Sequence, residues 1–358
     1  MDLVNAVLDF FVPPASLLML AFAWPTLFLV NTCERIYGTY YHSEDMENKV
    51  VLITGASSGI GEQIAYQYAK RGANLVLVAR RENRLIGISE NARRLGAPHV
   101  LIMAADVVKE EDCRRFVNET ISYFGGLDHL VNTVSLGHTF YFEEANDSSV
   151  FPILMDINFW GNVYPTYVAL PYLRESNGRI IVNASVENWL PLPRMSLYSA
   201  AKSALMNFYE TLRFEVKNEV GITMATHGWI GTEIAGGKFM VEEGAEMQWK
   251  EEREVHVSGG AVEEFAKLIV AGACRGDPYV KYPSWYDIFF VYRVFAPKVL
   301  YWTFRFILTN GGVKRATSYI GTGRPLIQEV GQQLLLEAES PARSSPTYAQ
   351  AAYQRKYE

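Results

Sequence analysis

A glycine-rich segment at residues 50–65, VVLITGASSGIGEQIA, restricts the possible folds of this chain more than any other stretch. Its first five residues are β-branched or aliphatic, which predicts a buried strand over Val50–Thr54. Residues 60–68 have the apolar spacing of a helix, and three glycines lie between the two elements. In such a strand–turn–helix unit, backbone N–H groups and the helix N-terminus point toward a common anion. The segment therefore predicts a phosphate-binding turn.

The spacing of the glycines in this turn is typical of dinucleotide binding. Gly55 permits the sharp turn, Gly59 lets a pyrophosphate approach the backbone, and Gly61 lets the helix pack close to the strand. The residues expected to contact the phosphates are Gly55, Ser57, Ser58, Gly59, Ile60 and Gly61.

Strand and helix patterns alternate along the chain after the glycine turn. Five further strands are predicted at residues 75–79, 100–105, 129–132, 179–184 and 222–226. Helical patterns fill the intervals, and strands that alternate with helices form a parallel sheet covered on both faces. The sequence therefore predicts an α/β fold with a Rossmann-type, doubly wound parallel sheet.

Composition excludes several classes of function. The chain has 358 residues, of which 49% are hydrophobic, so it can bury a large α/β core. Its net charge of −6 and the lack of a basic block argue against nucleic acid as a partner. The three cysteines lie far apart and the six histidines show no zinc-ligand spacing, so no metal site is predicted.

Residues 10–30 form an apolar run without a charged side chain, long enough to cross a bilayer. Acidic residues before the run, with no clear cleavage site after it, argue against a cleaved signal peptide. Pro13, Pro14 and Pro25 lie within the run, and proline kinks a helix. Two forms remain open, a transmembrane signal-anchor helix with proline kinks and a hairpin that enters one leaflet and returns. We favour the hairpin.

Shifts in composition divide the chain into five segments. These are a hydrophobic, proline-containing anchor at 1–31, a polar linker at 32–48, a nucleotide-binding domain at 49–283, an aromatic-rich extension at 284–336 and a disordered tail at 337–358. The aromatic extension suits a second membrane-contacting surface, or packing on the core or on a second subunit. A homodimer is therefore one open alternative.

The end of the second predicted strand carries Arg80 and Arg81, where an NAD site usually has an acidic residue for the ribose 2′-hydroxyl. Arginine accommodates a 2′-phosphate instead, so the sequence favours NADP(H) as the cofactor. Asp106 and Val107 follow the third strand and are assigned to the same site. The Asp106 carboxylate could accept a hydrogen bond from an adenine amino group or cap the following helix.

A second cluster combines Ser185, Tyr198 and Lys202. Tyr198 and Lys202 are four residues apart and therefore share one helix face. An ammonium group beside a phenol stabilises the phenolate and lowers its pKa, so Tyr198 can act as a general acid or base on a hydroxyl or carbonyl group. Ser185 ends the fifth strand, where ligands gather in open α/β sheets, and its hydroxyl could hold the substrate oxygen.

The segments TGASSGIG and YSAAK, together with Ser185, resemble the short-chain dehydrogenase/reductase family over roughly residues 48–283. The resemblance implies that Tyr198 is the catalytic acid/base, that Lys202 lowers its pKa and holds the nicotinamide ribose, and that Ser185 orients the substrate. It also implies that Asn158, in MDINFWGN, supports a water-linked proton relay.

Two family segments are altered in this chain. The Asn-Asn-Ala-Gly segment after the fourth strand appears as NTVS, in which Asn132 is retained as an expected cofactor contact. The Pro-Gly pair near the nicotinamide amide appears as His227-Gly228, followed by Thr232, which is also expected to contact the cofactor.

The apolar N-terminus and the Ala79-Arg80-Arg81 segment are similar to the 11β-hydroxysteroid dehydrogenase branch of the family. The stretch FVPPASLLMLAFAWP is also similar to the proline-knob anchor of plant steroleosins, the sterol dehydrogenases of seed oil bodies. These resemblances imply an NADP(H)-dependent sterol dehydrogenase on lipid droplets and the endoplasmic reticulum membrane, with its catalytic domain in the cytosol. A dehydrogenase of another lipophilic alcohol or ketone, and a non-catalytic droplet-coat or sterol-binding protein, are the alternatives.

Overall fold

The centre of the computed structural model is a seven-stranded, all-parallel sheet with the strand order β3-β2-β1-β4-β5-β6-β7. The structure describes residues 2–41, 43–137, 142, 148–192, 195–228 and 262–309. The strands are β1 Val50–Thr54, β2 Asn74–Ala79, β3 Val100–Ala104, β4 His129–Asn132, β5 Arg179–Ser185, β6 Gly221–His227 and β7 Tyr279–Tyr282. The predicted fold class is confirmed.

Ten α-helices are present among the described residues. They are α1 Asp2–Tyr41, α2 Gly59–Ala69, α3 Glu82–Leu95, α4 Glu110–Phe124, α5 Val150–Met155, α6 Gly161–Glu175, α7 Ser196–Glu215, α8 Val262–Arg275, α9 Asp287–Phe295 and α10 Pro297–Thr309. A π-helical turn, Asp156–Trp160, joins α5 to α6. The chain divides into two compact units, residues 1–302 and 303–358, and the structure describes only residues 303–309, the end of α10, in the second unit.

The sheet is buried on both faces, as its β-branched and aliphatic strands require. Helices α2, α3 and α8 share one hydrophobic cluster, in which Ile64, Leu85 and Phe265 are completely buried. Helices α4, α6 and α7 share the cluster on the other face, which includes Phe116 and Tyr209. The strand order reverses at β1, which pairs with β2 on one side and β4 on the other. Ligands of doubly wound sheets bind at the carboxyl ends of the strands at such a point.

All six predicted strands are found, with ends within one residue of the prediction, but the sequence interpretation missed β7. This strand has four residues and pairs with β6 alone. Tyr279 and Lys281 are exposed while Val280 is buried. So short and half-exposed a run lacks the continuous apolar pattern that identified the other strands.

The N-terminal segment differs from the sequence interpretation in two respects. Asp2–Tyr41 is one continuous helix with its three prolines inside, so the favoured hairpin is not formed. A proline in a helix removes one hydrogen bond and can kink the helix without ending it. The predicted linker at 32–48 therefore begins as helix and leaves it only after Tyr41. Residues Val7–Val30 form an apolar span that is long enough for a membrane and not buried in the protein.

The aromatic extension begins with two short helices, α9 and α10. Several large apolar side chains of α9 and α10 are exposed, among them Phe290, Phe295 and Tyr301. The remainder of the predicted extension and the whole predicted tail at 337–358 lie outside the described residues. The role of the aromatic extension as a membrane-contacting or dimer surface stays a prediction.

Candidate active site

A cleft of about 710 Å³ opens at the carboxyl ends of the central strands. Its walls come from the turn after β1, the ends of β2 and β3, the segment after β4, and helix α7. The predicted residues on these walls are Gly55, Ser57, Ser58, Gly59, Ile60, Gly61, Arg80, Arg81, Asp106, Val107 and Tyr198. The structure thus brings the glycine turn and the predicted acid/base into one cavity.

The glycine turn is too tightly packed for side chains. Gly55 has a φ of +70°, which L-residues with a Cβ rarely adopt. A Cβ on Gly61 would lie 2.5 Å from the carbonyl oxygen of Gly55 and 2.6 Å from Thr133 Oγ1. The bare backbone of this turn and the N-terminus of α2 form the kind of cradle that a dinucleotide pyrophosphate fits.

Arginines from the start of α3 border the same turn. The Arg81 guanidinium donates hydrogen bonds to Ser57 Oγ at 3.1 Å and Ser58 Oγ at 2.8 Å. Arg84, which the sequence interpretation missed, donates to the Ser57 carbonyl oxygen at 3.4 Å. The sequence could have indicated Arg84, because it follows Arg80 by about one helical turn. Together with Arg80, these side chains give this end of the cleft a positive charge that suits a phosphate group.

Asp106 and Val107 lie on the cleft wall where the adenine end of a dinucleotide was expected. The Asp106 carboxylate accepts a hydrogen bond from the Val108 N–H at 3.3 Å, and the Asp106 N–H donates to Asp112 Oδ2 at 2.8 Å. The Asp106 side chain therefore orders its own loop as well as facing the cleft.

Helix α7 positions Tyr198 and Lys202 on its buried face. Lys202 Nζ donates to the Asn183 carbonyl oxygen at 3.0 Å and lies 5.7 Å from the centroid of the Tyr198 ring. Burial lowers the pKa of Lys202 to about 8. The pKa of Tyr198 is raised, first by burial and then by the charge of Glu187. The expected lowering by Lys202 is therefore not found, because burial dominates in this arrangement.

Ser185, at the end of β5, is almost completely buried. Its hydroxyl donates to Glu187 Oε2 and lies 3.4 Å from the His227 carbonyl oxygen. Hydrogen bonding by Ser185 and Ser135 opposes the rise in the pKa of Tyr198, which places both serines beside the phenol. Glu187 was missed by the sequence interpretation, and no motif marks it.

Asn158 lies in the π-helical turn, a distortion that is frequent at functional sites. Its Oδ1 accepts hydrogen bonds from Ser135 Oγ at 2.9 Å and from the Leu136 N–H at 3.0 Å. Ser135 Oγ lies 3.5 Å from Tyr198 Oη. Asn158 therefore connects to Tyr198 through Ser135, a residue that the sequence interpretation noted only as part of an altered family segment.

Among the described residues, the predicted cofactor contacts Asn132 and Lys202 and the predicted substrate contact Ser185 do not line the cleft. Asn132 is buried, and its Nδ2 donates to Thr166 Oγ1 at 2.9 Å and to Tyr209 Oη at 3.1 Å. Its side chain thus ties β4 to α6 and α7 instead of lining the cavity. Thr232 lies outside the described residues.

Comparison with known proteins relates this chain to a protein family. The short chain dehydrogenase family matches residues 49–242. A relative from Sesamum indicum, named 11-beta-hydroxysteroid dehydrogenase B, is 81% identical, and the match covers 100% of both chains. A relative from Arabidopsis thaliana, named 11-beta-hydroxysteroid dehydrogenase-like 5, is 65% identical, with 96% of this chain and 88% of that protein covered.

Solved structures share the fold. A short chain dehydrogenase/reductase from Burkholderia phymatum in complex with NAD has a TM-score of 0.63 at 24% identity, covering 71% of this chain and 95% of that one. An alcohol dehydrogenase from the archaeon Thermococcus sibiricus, complexed with 5-hydroxy-NADP, has a TM-score of 0.53 at 27% identity, covering 63% and 89%.

Proposed function

The chain belongs to the short-chain dehydrogenase family, and we propose that it is an NADP(H)-dependent hydroxysteroid dehydrogenase. The observation that carries the proposal is the position of Tyr198, a buried phenol on the wall of the same cleft as the glycine turn. Tyr198 is the acid/base in this proposal, Ser185 holds the substrate oxygen, and Lys202 and Asn158 support Tyr198.

The chain's own residues supply the proton chemistry. In ketone reduction, Tyr198 Oη–H donates its proton to the substrate oxygen, and in alcohol oxidation the phenolate removes it. When bound, the nicotinamide supplies or accepts the hydride. Ser135 and Asn158 form a hydrogen-bonded chain from Tyr198 Oη to the π-helical turn, which holds the phenol in position. Tyr198 is only 4% exposed, so its phenol is largely shielded from bulk water.

The preference for NADP(H) over NAD(H) rests on the three arginines at positions 80, 81 and 84. Arg81 and Arg84 both contact the glycine turn, and Arg80 lines the cleft. A guanidinium binds a phosphate through two parallel charge-assisted hydrogen bonds, which a ribose hydroxyl cannot match.

The sterol substrate and the location rest on different observations. The relatives named as 11-beta-hydroxysteroid dehydrogenases suggest a hydroxysteroid or ketosteroid. The exposed apolar span Val7–Val30 suits a protein held at the endoplasmic reticulum membrane or at the surface of a lipid droplet. The cytosolic position of the catalytic domain rests on the droplet location, because a droplet has water only on its outer side. A water-insoluble substrate dissolved in that lipid would lie close to the enzyme.

The test is turnover of a panel of hydroxysteroids and ketosteroids by the purified protein with NADP(H) and with NAD(H), followed by the absorbance of the reduced nicotinamide. We expect at least one steroid to be turned over, with kcat/KM at least tenfold higher for NADP(H). Arg81→Asp should remove most of that preference, whereas Arg94→Asp, an exposed arginine at the far end of α3, should retain it. Equal use of both cofactors by the unmodified protein would contradict the cofactor assignment, and no turnover of any steroid would contradict the substrate class.

A further inference from the structure

Glu187 is a buried acid beside the serine that holds the substrate oxygen, and the mechanism above does not use it. It lies in the short turn Val186–Asn188 that follows β5 and is 7% exposed. Its Oε2 accepts the hydrogen bond from Ser185 Oγ. A buried acid costs stability unless its charge is compensated or neutralised, so its placement here suggests a role in the site.

The protonation state of Glu187 decides which way the Ser185 hydroxyl points. A serine hydroxyl has one proton to donate and two lone pairs that accept. While Glu187 is ionised, Ser185 donates its proton to the carboxylate and has only lone pairs left for the substrate. A ketone oxygen is itself only an acceptor, so Ser185 cannot hold it in that state. While Glu187 is protonated, its O–H can donate to Ser185 Oγ and leave the serine proton for the substrate.

We propose that Glu187 is a positioning residue that controls the donor direction of Ser185, so that the site holds a ketone oxygen only while Glu187 is protonated. The proposal rests on the proposed function, because it needs Ser185 to bind the substrate oxygen. It adds to that function a dependence of ketone reduction on an acid that contacts neither substrate nor cofactor.

The groups that face Glu187 raise its pKa on balance. Burial raises the pKa of Glu187, while hydrogen bonds from Ser185 and from its own backbone N–H, and the charge of Lys202, act in the opposite direction. On β6, burial lowers the pKa of His227 to about 4, so this ring is neutral near pH 7 and adds no positive charge. On α7, the pKa of Tyr198 is raised. By this proposal Glu187 and Tyr198 must both keep a proton during ketone reduction, and Glu187 loses its proton before Tyr198 as the pH rises. Lys202, with a pKa of about 8, also titrates below Tyr198.

Replacing Glu187 by glutamine fixes the direction of the serine hydroxyl. The backbone N–H of residue 187 already bonds the side-chain carboxylate. In Glu187→Gln the amide oxygen can keep that bond, which leaves the amide N–H to donate to Ser185 Oγ at every pH. Glu215→Gln, at the exposed end of α7, is the matched control.

The first readout is the pH profile of kcat/KM for ketosteroid reduction by the full chain. For the unmodified protein and Glu215→Gln we expect a decline of about tenfold per pH unit above a midpoint, the slope of a single deprotonation. Glu187→Gln should lack this first decline and fall only at the higher pH where Lys202 or Tyr198 loses its proton. An unchanged profile in Glu187→Gln, or a loss as large as that of Ser185→Ala at every pH, would overturn the proposal.

The second readout needs neither cofactor nor turnover. The infrared difference spectrum between unmodified protein and Glu187→Gln isolates the carboxylic acid C=O band of Glu187, which disappears as the acid ionises. In Ser185→Ala the carboxylate loses a hydrogen-bond donor, so the band should persist to higher pH. An unshifted titration in Ser185→Ala would overturn the proposal. If no steroid is turned over, only the proposed function is contradicted, because the infrared titration of Glu187 does not depend on turnover.

Discussion

Lys202 shows how a single residue of the site can be favourable for chemistry and unfavourable for folding. It is completely buried, and its pKa falls to about 8, compared with about 10.4 in an unfolded chain. A base with a lowered pKa binds fewer protons in the native state, so stability from this group rises as the pH increases from about 8 to about 10.4. Below about pH 8 the buried charge costs about 3 kcal/mol at full effect.

We therefore predict that Lys202→Met is most favourable to stability at neutral pH. The free energy of unfolding of the variant minus that of the unmodified protein should be up to about 3 kcal/mol larger near pH 7 than near pH 10.4. Urea unfolding of the cofactor-free proteins at several pH values measures this difference. A difference that is constant across the range would show that Lys202 is not a destabilised ammonium group. Turnover should be lost in the same variant.

The sequence could predict those site residues whose positions follow from periodicity. Tyr198 and Lys202 share a face because they are four residues apart on one helix, and Ser185 ends a strand whose apolar run is residues 180–182. Glu187 and Ser135 could not be predicted in this way, because they reach the site through a short turn and an irregular segment. Such segments have no repeating pattern that fixes where a side chain points.

At the scale of elements, the turn between β1 and α2 depends on the absence of a side chain at Gly61. A Cβ there would meet backbone and Thr133 atoms at 2.5–2.6 Å, whereas a Cβ on Gly87, in α3, would meet nothing within 4 Å. We predict that Gly61→Ala lowers the free energy of unfolding by about 1–3 kcal/mol through overpacking. Gly87→Ala should raise it by about 0.5–1 kcal/mol, because alanine is the better helix former.

Urea unfolding and NADPH titration of the two variants provide the measurement. Gly61→Ala should also bind NADPH at least about tenfold more weakly, a loss of about 1.4 kcal/mol, whereas Gly87→Ala should bind it normally. If the two alanine variants are equally stable and bind NADPH alike, the tight packing of the turn is not required.

The strands differ in how readily the sequence reveals them. Strands β1 and β2 are buried along their whole length, and such continuous apolar runs are visible without a structure. The edge strand β7 has only one buried residue, so its formation depends on pairing with β6. The three prolines of α1 predicted a turn, but the helix continues through them. Local propensity alone therefore does not determine where a long apolar helix ends.

At the scale of the whole molecule, the N-terminal span can be removed without breaking the contacts that hold the segment after it. Glu44 Oε2 lies 3.1 Å from His129 Nε2, Lys49 pairs with Asp128 at 2.9 Å, and Met46 is buried. We predict that deleting residues 2–31 moves the protein from the membrane and droplet fraction to the soluble fraction. The urea midpoint should remain unchanged, because these contacts follow the deletion.

Flotation of microsomes and droplets from cells that express each form provides the measurement. Persistent membrane association of the truncated protein would show that another surface, such as the exposed aromatic side chains of α9 and α10, is sufficient. The same preparations report the side of the membrane through the N-glycosylation sequons at Asn118, Asn146 and Asn183. Asn118 is exposed on α4, Asn183 is buried in β5, and Asn146 lies outside the described residues. A cytosolic domain carries no glycan at Asn118, and a glycan there would contradict the cytosolic orientation.

Selection of one steroid over another is expected to depend on three loops, at residues 138–144, 189–195 and 234–257. Residues 234–257 and most of residues 138–144 lie outside the described residues, whereas residues 189–192 and 195 are described. The parallel sheet positions the reacting groups but not these loops. Specificity for one steroid therefore does not follow from the fold.

The assignment of Tyr198 as the acid/base is tested most directly by Tyr198→Phe, measured with NADPH and a ketosteroid that the unmodified protein reduces. Removing the only hydroxyl of the ring leaves the packing of α7 in place. The mechanism predicts a loss of at least about 100-fold in kcat, the scale of general acid catalysis, with NADPH affinity within a few-fold of normal. A variant that retains turnover within tenfold of the unmodified protein would contradict the assignment.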